Sequence, residues 1–453
     1  MIDADKIVET LCKCGYEAYI VGGAVRDMFL SKDPNDEDIV TNASPEEIGL
    51  IFKDEKVDMV GANFLVTLVN GIDVSTYRKD MNTKPGRENC QVTQCKTIQE
   101  DLHKRDFTIN AIATCPYTGE IIDPFDGRED LKNKVIRFVG EPGQRIKEDY
   151  LRMLRAARFC CLIKGTIHPD TMDALKGHAY LVNNIAFERI RTELLKVMEY
   201  DEPSIFFDVL YKAGILEILF PELYFMYGHT GGKYHQETLD VHFKITGDVL
   251  SPNDKMLRLT GYLHDIGKPA AYAMNDGENF VDHEKYGADL VRHYLTKYKF
   301  STEEIERSTN LVKYHMRSFS QTITNKAIRR MLRKFVEHNI NWKDWFKLKV
   351  ADNLANIGKP KYTKKEIKAF SLKVREAMNY EDKCFKITDL NINGNQVMEI
   401  TGLSPGKEIG EILSHLFDIV IDTPQMNNYE TLSNVVTGIY KRKKEEMSNE
   451  SGI

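Results

Sequence analysis

The sequence predicts an α+β fold, with a small mixed-sheet unit at the amino end and an all-helical remainder. Short apolar runs bounded by turn residues fill the first 140 positions, FLVTLV (64–69) and GIDVSTY (71–77) among them. From about 141 the periodicity turns helical, as in EDYLRMLRAARFCCL and FERIRTELLKVMEY. The chain has 453 residues, about three times a typical domain, so two to four units are expected.

The elements follow in order. Ile2, Ile7, Val8 and Leu11 have helical spacing over residues 1–14. EAYIV (17–21) is a short strand leading into the pair Gly22-Gly23. A helix through Val25–Leu30, a loop and a strand through Ile39–Thr41 come next. Ser44, with Glu47 three residues on, is a capping box opening another helix. Asn70-Gly71 between two apolar runs predicts a hairpin. RKDMNTKPGRENCQV (78–92) lacks apolar periodicity and reads as a loop, and FPELYFMYGHTGGKY (220–234) as a linker. Two further helical blocks follow, the last one lysine-rich.

Composition narrows the class. Hydrophobic content is 42% and charged content 29%, ordinary for a globular protein. No apolar run reaches membrane-spanning length, and MIDADKIVETLCKCG has no signal-peptide core. The eight cysteines show neither zinc spacing nor plausible close bridges and read as reduced thiols, so a cytoplasmic location without a membrane partner is expected. Net charge is −6, so any grip on nucleic acid must be a local basic patch.

Chemistry concentrates in GGAVRDMFLSKDPNDEDIVT (22–41). Gly22 and Gly23 let the backbone approach a phosphate, and Arg26 can clamp it. Asp36 and Asp38, two apart, face the same way on an extended strand. Two adjacent carboxylates are costly unless a divalent cation lies between or beside them. These are the ingredients of metal-assisted phosphoryl or nucleotidyl transfer.

The pattern resembles the nucleotidyltransferase signature of the polymerase-beta superfamily. More narrowly, it is similar to class II tRNA nucleotidyltransferases (CCA-adding enzymes) and bacterial poly(A) polymerases. EDLHKRDFTINAIA (100–113) matches the family's RRDFTINA segment, except that Lys104 replaces the first arginine and loses its planar fork. The resemblance implies that Arg105 holds the triphosphate and Asp106 accepts from a ribose hydroxyl, with Asn110 on the same face if the segment is helical. It implies that Asp73 is a third carboxylate, at a position more often glutamate in these relatives. In EDYLRMLRAARF (148–159), Asp149, Arg152, Arg155 and Arg158 recur every third residue as a stripe on one helix flank. There the family reads the Watson–Crick edge of the incoming base with the equivalents of Asp149 and Arg152, while Arg155 and Arg158 face phosphates. Glu188, Arg189 and Arg191 read as structural ties. Residues 78–92 correspond to the flexible loop used in switching from C to A addition, which argues against a CC-only enzyme.

A second constellation is spread over 234–356: His242, His264-Asp265, His283, His315 and Asp352. This mixed N/O set suits one or two transition-metal ions, and its order resembles the HD phosphohydrolases. His235 falls outside the pattern. The resemblance thus implies a head (1–140), a helical neck (141–220), an HD domain (225–356) and a helical tail (357–453). Lys359, Lys361, Lys364, Lys365 and Lys368 in the tail either contact tRNA phosphates or form a solvated face.

The implied activity is Mg²⁺-dependent, template-independent addition of CCA, from CTP and ATP, to the 3′ end of tRNA. Phosphohydrolase chemistry in the HD unit, with a transition metal, would come in addition. Alternatives are a poly(A) polymerase or an A-adding specialist on the same head. A third is an HD phosphohydrolase whose head only binds nucleotide or RNA.

Overall fold

In the computed structural model the chain is described over residues 2–34, 37–59, 65–81, 91–231, 236–317, 323–379 and 385–450. It divides into two units: Met1–His229 with Gly247–Leu259 and Tyr294–Phe300, and Thr230–Thr246 with Thr260–His293 and Ser301–Ile453. No helix among the described residues is long and apolar enough to cross a membrane.

The first unit opens with α1 (Ala4–Lys13), whose Ala4, Ile7, Val8 and Leu11 form the buried stripe. Asp3 caps it, accepting from the Lys6 amide at 2.9 Å. There follow β1 (Ala18–Val21), α2 (Gly23–Phe29), β2 (Asp38–Thr41), α3 (Pro45–Ile51), β3 (Val57–Met59), β4 (Val66–Val69) and β5 (Ile72–Thr76). The Ser44–Glu47 capping box opens α3 as the sequence predicts. Asn70 and Gly71 take φ of +53° and +89°, joining β4 to β5 in a tight hairpin.

The next elements are β6 (Arg78–Met81), β7 (Gln91–Gln94), α4 (Ile98–His103), β8 (Ala113–Cys115) and β9 (Glu120–Ile122). Seven strands form one sheet in the order β3-β4-β5-β2-β1-β8-β9. Only β2 and β5 run parallel within it. Ile39 pairs with Val74, so Asp38 and Asp73, each one residue earlier, stand on the same face of adjacent strands.

Three readings need correction. Residues 78–81 and 91–94 are not loop: they pair as an antiparallel ribbon, Arg78 opposite Gln94, while 82–90 lie outside the described residues. Cross-strand hydrogen bonding supplies what the polar sequence does not advertise. Part of the proposed linker is helix Pro221–Met226, with proline in its first turn and Leu223 and Met226 buried. The stretch 148–159 is also not one helix.

After α5 (Gly127–Lys132) and β10 (Val135–Ile136), α6 (Pro142–Glu148) ends at Asp149 in extended geometry, and α7 (Arg152–Ile163) begins. The Asp149 carboxylate accepts from the Leu151 amide at 3.1 Å, a local bond that competes with the helical ladder. Then come β11 (Thr166–Ile167), α8 (Pro169–His178) and α9 (Phe187–Val197).

Arg258 is 1% exposed and ties chain segments together through their backbone carbonyls. Its guanidinium donates to Met198 (3.0 Å), Asp201 (2.7 Å), Asp248 (3.0 Å) and Gly247 (3.2 Å), and also to Tyr200. Arg258→Leu should cost about 3 kcal/mol, because several buried carbonyls lose their donor at once. A lowered denaturation midpoint with unchanged denaturant slope would report it; an unmoved midpoint would contradict it.

The second unit is helical among its described residues. Its carboxyl-terminal portion buries a core of its own that includes Leu390, Val397, Leu416, Val420, Leu432 and Val436.

Candidate active site and metal centre

A cleft of 550 Å³ opens in the first unit above the parallel pair β2/β5. Gly22, Gly23, Arg26, Asp38 and Asp73 line it from the sheet side, and Arg105, Asp106 and Asn110 from the segment after α4. Asp149, Arg152 and Arg155 line it from the α6–α7 break. Asp36 lies outside the described residues. The strand β2 begins only at Asp38.

Gly22 adopts φ +73°, and a Cβ there would meet the Arg105 guanidinium at 2.6 Å. Glycine therefore sets both the turn and the close approach of Arg105. Arg26 donates to Asn110 Oδ1 at 2.8 Å, and Asn110 Nδ2 donates to Asp106 Oδ1 at 2.9 Å. Arg155 Nε donates to Asp106 Oδ2 at 2.7 Å. The link from Asp106 to Asn110 spans one 3₁₀ turn, Thr108–Asn110, rather than an α-helix.

Burial pushes the Asp106 carboxyl up, but Arg155 and Asn110 outweigh it and hold the group below its ordinary value. A depressed native value means that the stabilisation is complete above the unfolded-state value near 3.9 and fades as pH falls below it. The stability gap between wild type and Asp106→Asn should therefore be wide at neutral pH and narrower in acid, measured by denaturant titration. A gap that widened in acid would refute the assignment.

The base-reading pair expected from sequence is held by neighbours. Asp149 Oδ2 accepts from Arg189 at 2.8 Å. Arg152 donates to Glu148 at 2.6 Å and to the Lys104 and Arg145 carbonyls at 3.1 and 2.9 Å. Arg189, Glu148 and Lys104 thus line the cleft although the sequence did not single them out as site residues. Glu148 immediately precedes Asp149, but nothing in the sequence distinguishes Arg189 from a helix tie.

Arg158 is the exception to the expected stripe. It is buried away from the cleft lining, its Nε 2.6 Å from Glu193 and its NH1 3.0 Å from the Tyr200 hydroxyl. The α7 turn from Arg155 to Arg158 carries it past the cleft wall. Seven cationic side chains and five carboxylates remain around the cleft, a local positive excess on a chain of net charge −6.

In the second unit, one carboxylate organises the second constellation. Asp265 Oδ2 lies 3.5 Å from His242 Nε2 and 3.3 Å from His264 Nε2. Its Oδ1 lies 3.3 Å from His283 Nε2 and 3.5 Å from His315 Nε2. Asp352 Oδ1 approaches His242 Nε2 at 3.2 Å. Each histidine presents Nε2 inward while Nδ1 is fixed from behind. His264, His283 and His315 donate to the carbonyls of Gly261 (2.7 Å), Phe280 (2.8 Å) and Val312 (2.6 Å). His242 Nδ1 lies 3.1 Å from Glu237.

This is how metal-ligating imidazoles are oriented. His242, His264 and Asp265 form one group able to hold an ion, and Asp265, His283 and His315 form another. The fully enclosed His264 Nε2 makes no well-formed hydrogen bond, as expected of a ligand atom. Burial also pulls His315 below its ordinary value, favouring the neutral, ligating form. His242 is pushed upward despite its burial, by Asp352 and Glu237.

Asp265 is held well below the usual carboxylate range: burial opposes this, and His264 and Lys268 overcome it. An 810 Å³ cavity opens over the cluster, with Lys268, Lys349 and Lys359 in its lining. His235 lies outside the described residues.

Comparison with known proteins agrees with this architecture. Residues 18–137 match the poly A polymerase head domain, 166–226 the probable RNA and SrmB-binding site of polymerase A, and 234–357 the HD domain. The CCA-adding enzyme of Levilactobacillus brevis is 43% identical over 204 residues, 44% of this chain and 51% of that protein. The chain thus spans about half the length of several curated relatives it matches. The CCA-adding enzyme of Ligilactobacillus salivarius is 29% identical over 94% of this chain and 93% of its own.

Among solved structures, the Bacillus stearothermophilus CCA-adding enzyme in complex with CTP shares the fold. Its TM-score is 0.66 at 24% identity, covering 98% of both chains. The Thermotoga maritima CCA-adding enzyme complexed with tRNA gives 0.53 at 20% identity, covering 97% of this chain and 96% of that one. The chain therefore carries a poly A polymerase head domain over 18–137 and an HD domain over 234–357, and over 94% of its length it is similar to a CCA-adding enzyme.

Proposed function

We propose that this chain adds CCA to the 3′ end of tRNA, taking CTP and ATP as substrates and selecting them without a nucleic-acid template. The observation that carries the reading is the convergence of the glycine turn, carboxylate pair, arginines and the Asp149/Arg152 pair in one cleft. In the relatives, CTP and tRNA are the bound partners.

Asp38 and Asp73 share a sheet face, which fits a divalent cation, and Asp36 would complete the set with Mg²⁺. Such ions lower the pKa of the RNA 3′-hydroxyl and neutralise the triphosphate and departing pyrophosphate. Arg26, Arg105 and Arg155 orient the triphosphate from three elements, over a backbone that Gly22 and Gly23 keep open. Asp106, fixed by Arg155 and Asn110, keeps acceptor capacity for a ribose hydroxyl.

Asp149 accepts from the exocyclic amino group shared by C and A, and Arg152 donates to their ring nitrogen; U and G present other edges. Glu148 and Arg189 hold this pair in place. We assign the head to 1–140, the base-reading neck to 141–220, the HD domain to 225–356 and a tRNA-contacting tail to 357–453. A cytoplasmic setting accords with free thiols at all six described cysteines. Labelled CTP and ATP supplied with tRNA lacking its last three nucleotides should extend it by three and stop. Run-on addition of A alone would favour the poly(A) polymerase reading.

The second cluster supports a second activity, phosphoester hydrolysis. His242, His264, His283, His315, Asp265 and Asp352 would hold one or two transition-metal ions, which supply Lewis acidity for attack by water. Lys268, Lys349 and Lys359 would receive the phosphate.

A further inference from the structure

Three guanidinium groups converge on one ring at the cleft wall. Arg158 lies 4.3 Å from the centroid of Phe159, Arg155 5.2 Å and Arg26 5.3 Å. The three come from two elements, Arg26 from α2 and the others from α7. Arg155 and Phe159 are four apart on α7, so they share a helix face. Phe159 is 3% exposed yet lines the cleft. Behind it the ring is fixed edge-on to Phe107 at 5.3 Å, and Phe107 stacks on Phe138 at 4.9 Å.

Each arginine also has a carboxylate partner: Asp27 for Arg26, Asp106 for Arg155 and Glu193 for Arg158. Those partners fix where each cation is tethered. They also offset much of the repulsion of gathering three cations around one point, but none of them joins one cation to another. The negative face of the aromatic ring is the one group all three share, and it attracts them most effectively where water is excluded. Arg158 is committed to Glu193 and Tyr200, so only Arg26 and Arg155 reach the cleft.

We infer that Phe159 is a positioning residue for nucleotide binding. Its ring electrons hold Arg26 and Arg155 together, pre-set for one triphosphate. The inference rests on reading this cleft as the triphosphate site, and it adds that an uncharged side chain sets affinity there. Preorganisation of this kind lowers the cost of ordering two long side chains on binding. Its effect should fall on CTP and ATP alike, since both carry the same triphosphate, and spare the affinity for tRNA.

The test replaces Phe159 in the full-length protein by mono-, di- and trifluorinated phenylalanines, which drain the ring face while nearly keeping its shape. CTP affinity by calorimetry should weaken stepwise along the series, reaching about tenfold in the trifluorinated protein. The KM for CTP should rise in parallel while that for tRNA stays put. Phe159→Leu, which keeps an apolar side chain but no ring, should match the far end of the series. A thermal melt of each variant establishes that the fold persists. Wild-type affinity for CTP across a folded series would overturn the role of Phe159 alone. Failure of the wild-type protein to bind CTP would overturn the triphosphate reading, and this role with it.

Discussion

Asp38→Ala is expected to lower nucleotide incorporation by about a thousandfold or more. Asp38 opens β2 at the cleft, and Asp73 stands beside it on the parallel neighbour β5. Under the proposed reading the pair holds a divalent cation, and removing either carboxylate weakens that hold. The loss should appear in kcat and kcat/KM together, because the missing stabilisation concerns charge that develops as the bond to pyrophosphate breaks. Binding of tRNA should change little, since it draws on other contacts. Asp38→Asn keeps the volume and hydrogen-bonding capacity, so a comparable loss in that variant assigns the effect to charge. Near wild-type turnover in either variant would remove the basis for the transfer reading.

Asp265→Ala is expected to abolish metal retention and any phosphohydrolase turnover while leaving CTP and ATP incorporation intact. Its two oxygens each face a different pair of histidines, so its removal dismantles both candidate ion sites at once. Lys268, 2.6 Å from Asp265, is itself buried and would lose its charge partner. That loss alone should cost about 3 kcal/mol of stability. Asp265→Asn loses the ligand charge but keeps the shape and an amide oxygen that can accept from Lys268, so it should lose the metal at a smaller cost in stability. Metal content by elemental analysis and hydrolysis of a phosphodiester are the readouts. Loss of nucleotide incorporation in a folded Asp265→Asn protein would mean that the two activities are not separable.

Local signals in the chain were legible where short-range chemistry decides. The capping box at Ser44 and the hairpin at Asn70-Gly71 form as read, because each is settled by a few adjacent residues. The pairing of 78–81 with 91–94 was not legible, because a polar ribbon is held by backbone bonds that leave no apolar alternation in the sequence. The break at Asp149 escaped for a related reason. Helical periodicity runs through it, while the carboxylate's bond to the Leu151 amide competes with the ladder and its bond to Arg189 anchors it. The same break lies between Asp149 and the arginines of α7, of which Arg152 and Arg155 share its cleft.

By itself the sequence determined the kind of chemistry, since carboxylates, imidazoles and glycines at fixed spacing limit what a site can bind or polarise. Tertiary structure decided which side chains share it. It sent Arg158 to Glu193, brought Arg189 and Phe159 to the cleft wall, and set both oxygens of Asp265 between histidines from separate segments of the chain. The physical reason is range. Hydrogen-bonding preferences act over a few residues, whereas the convergence of charges depends on where packing carries whole elements.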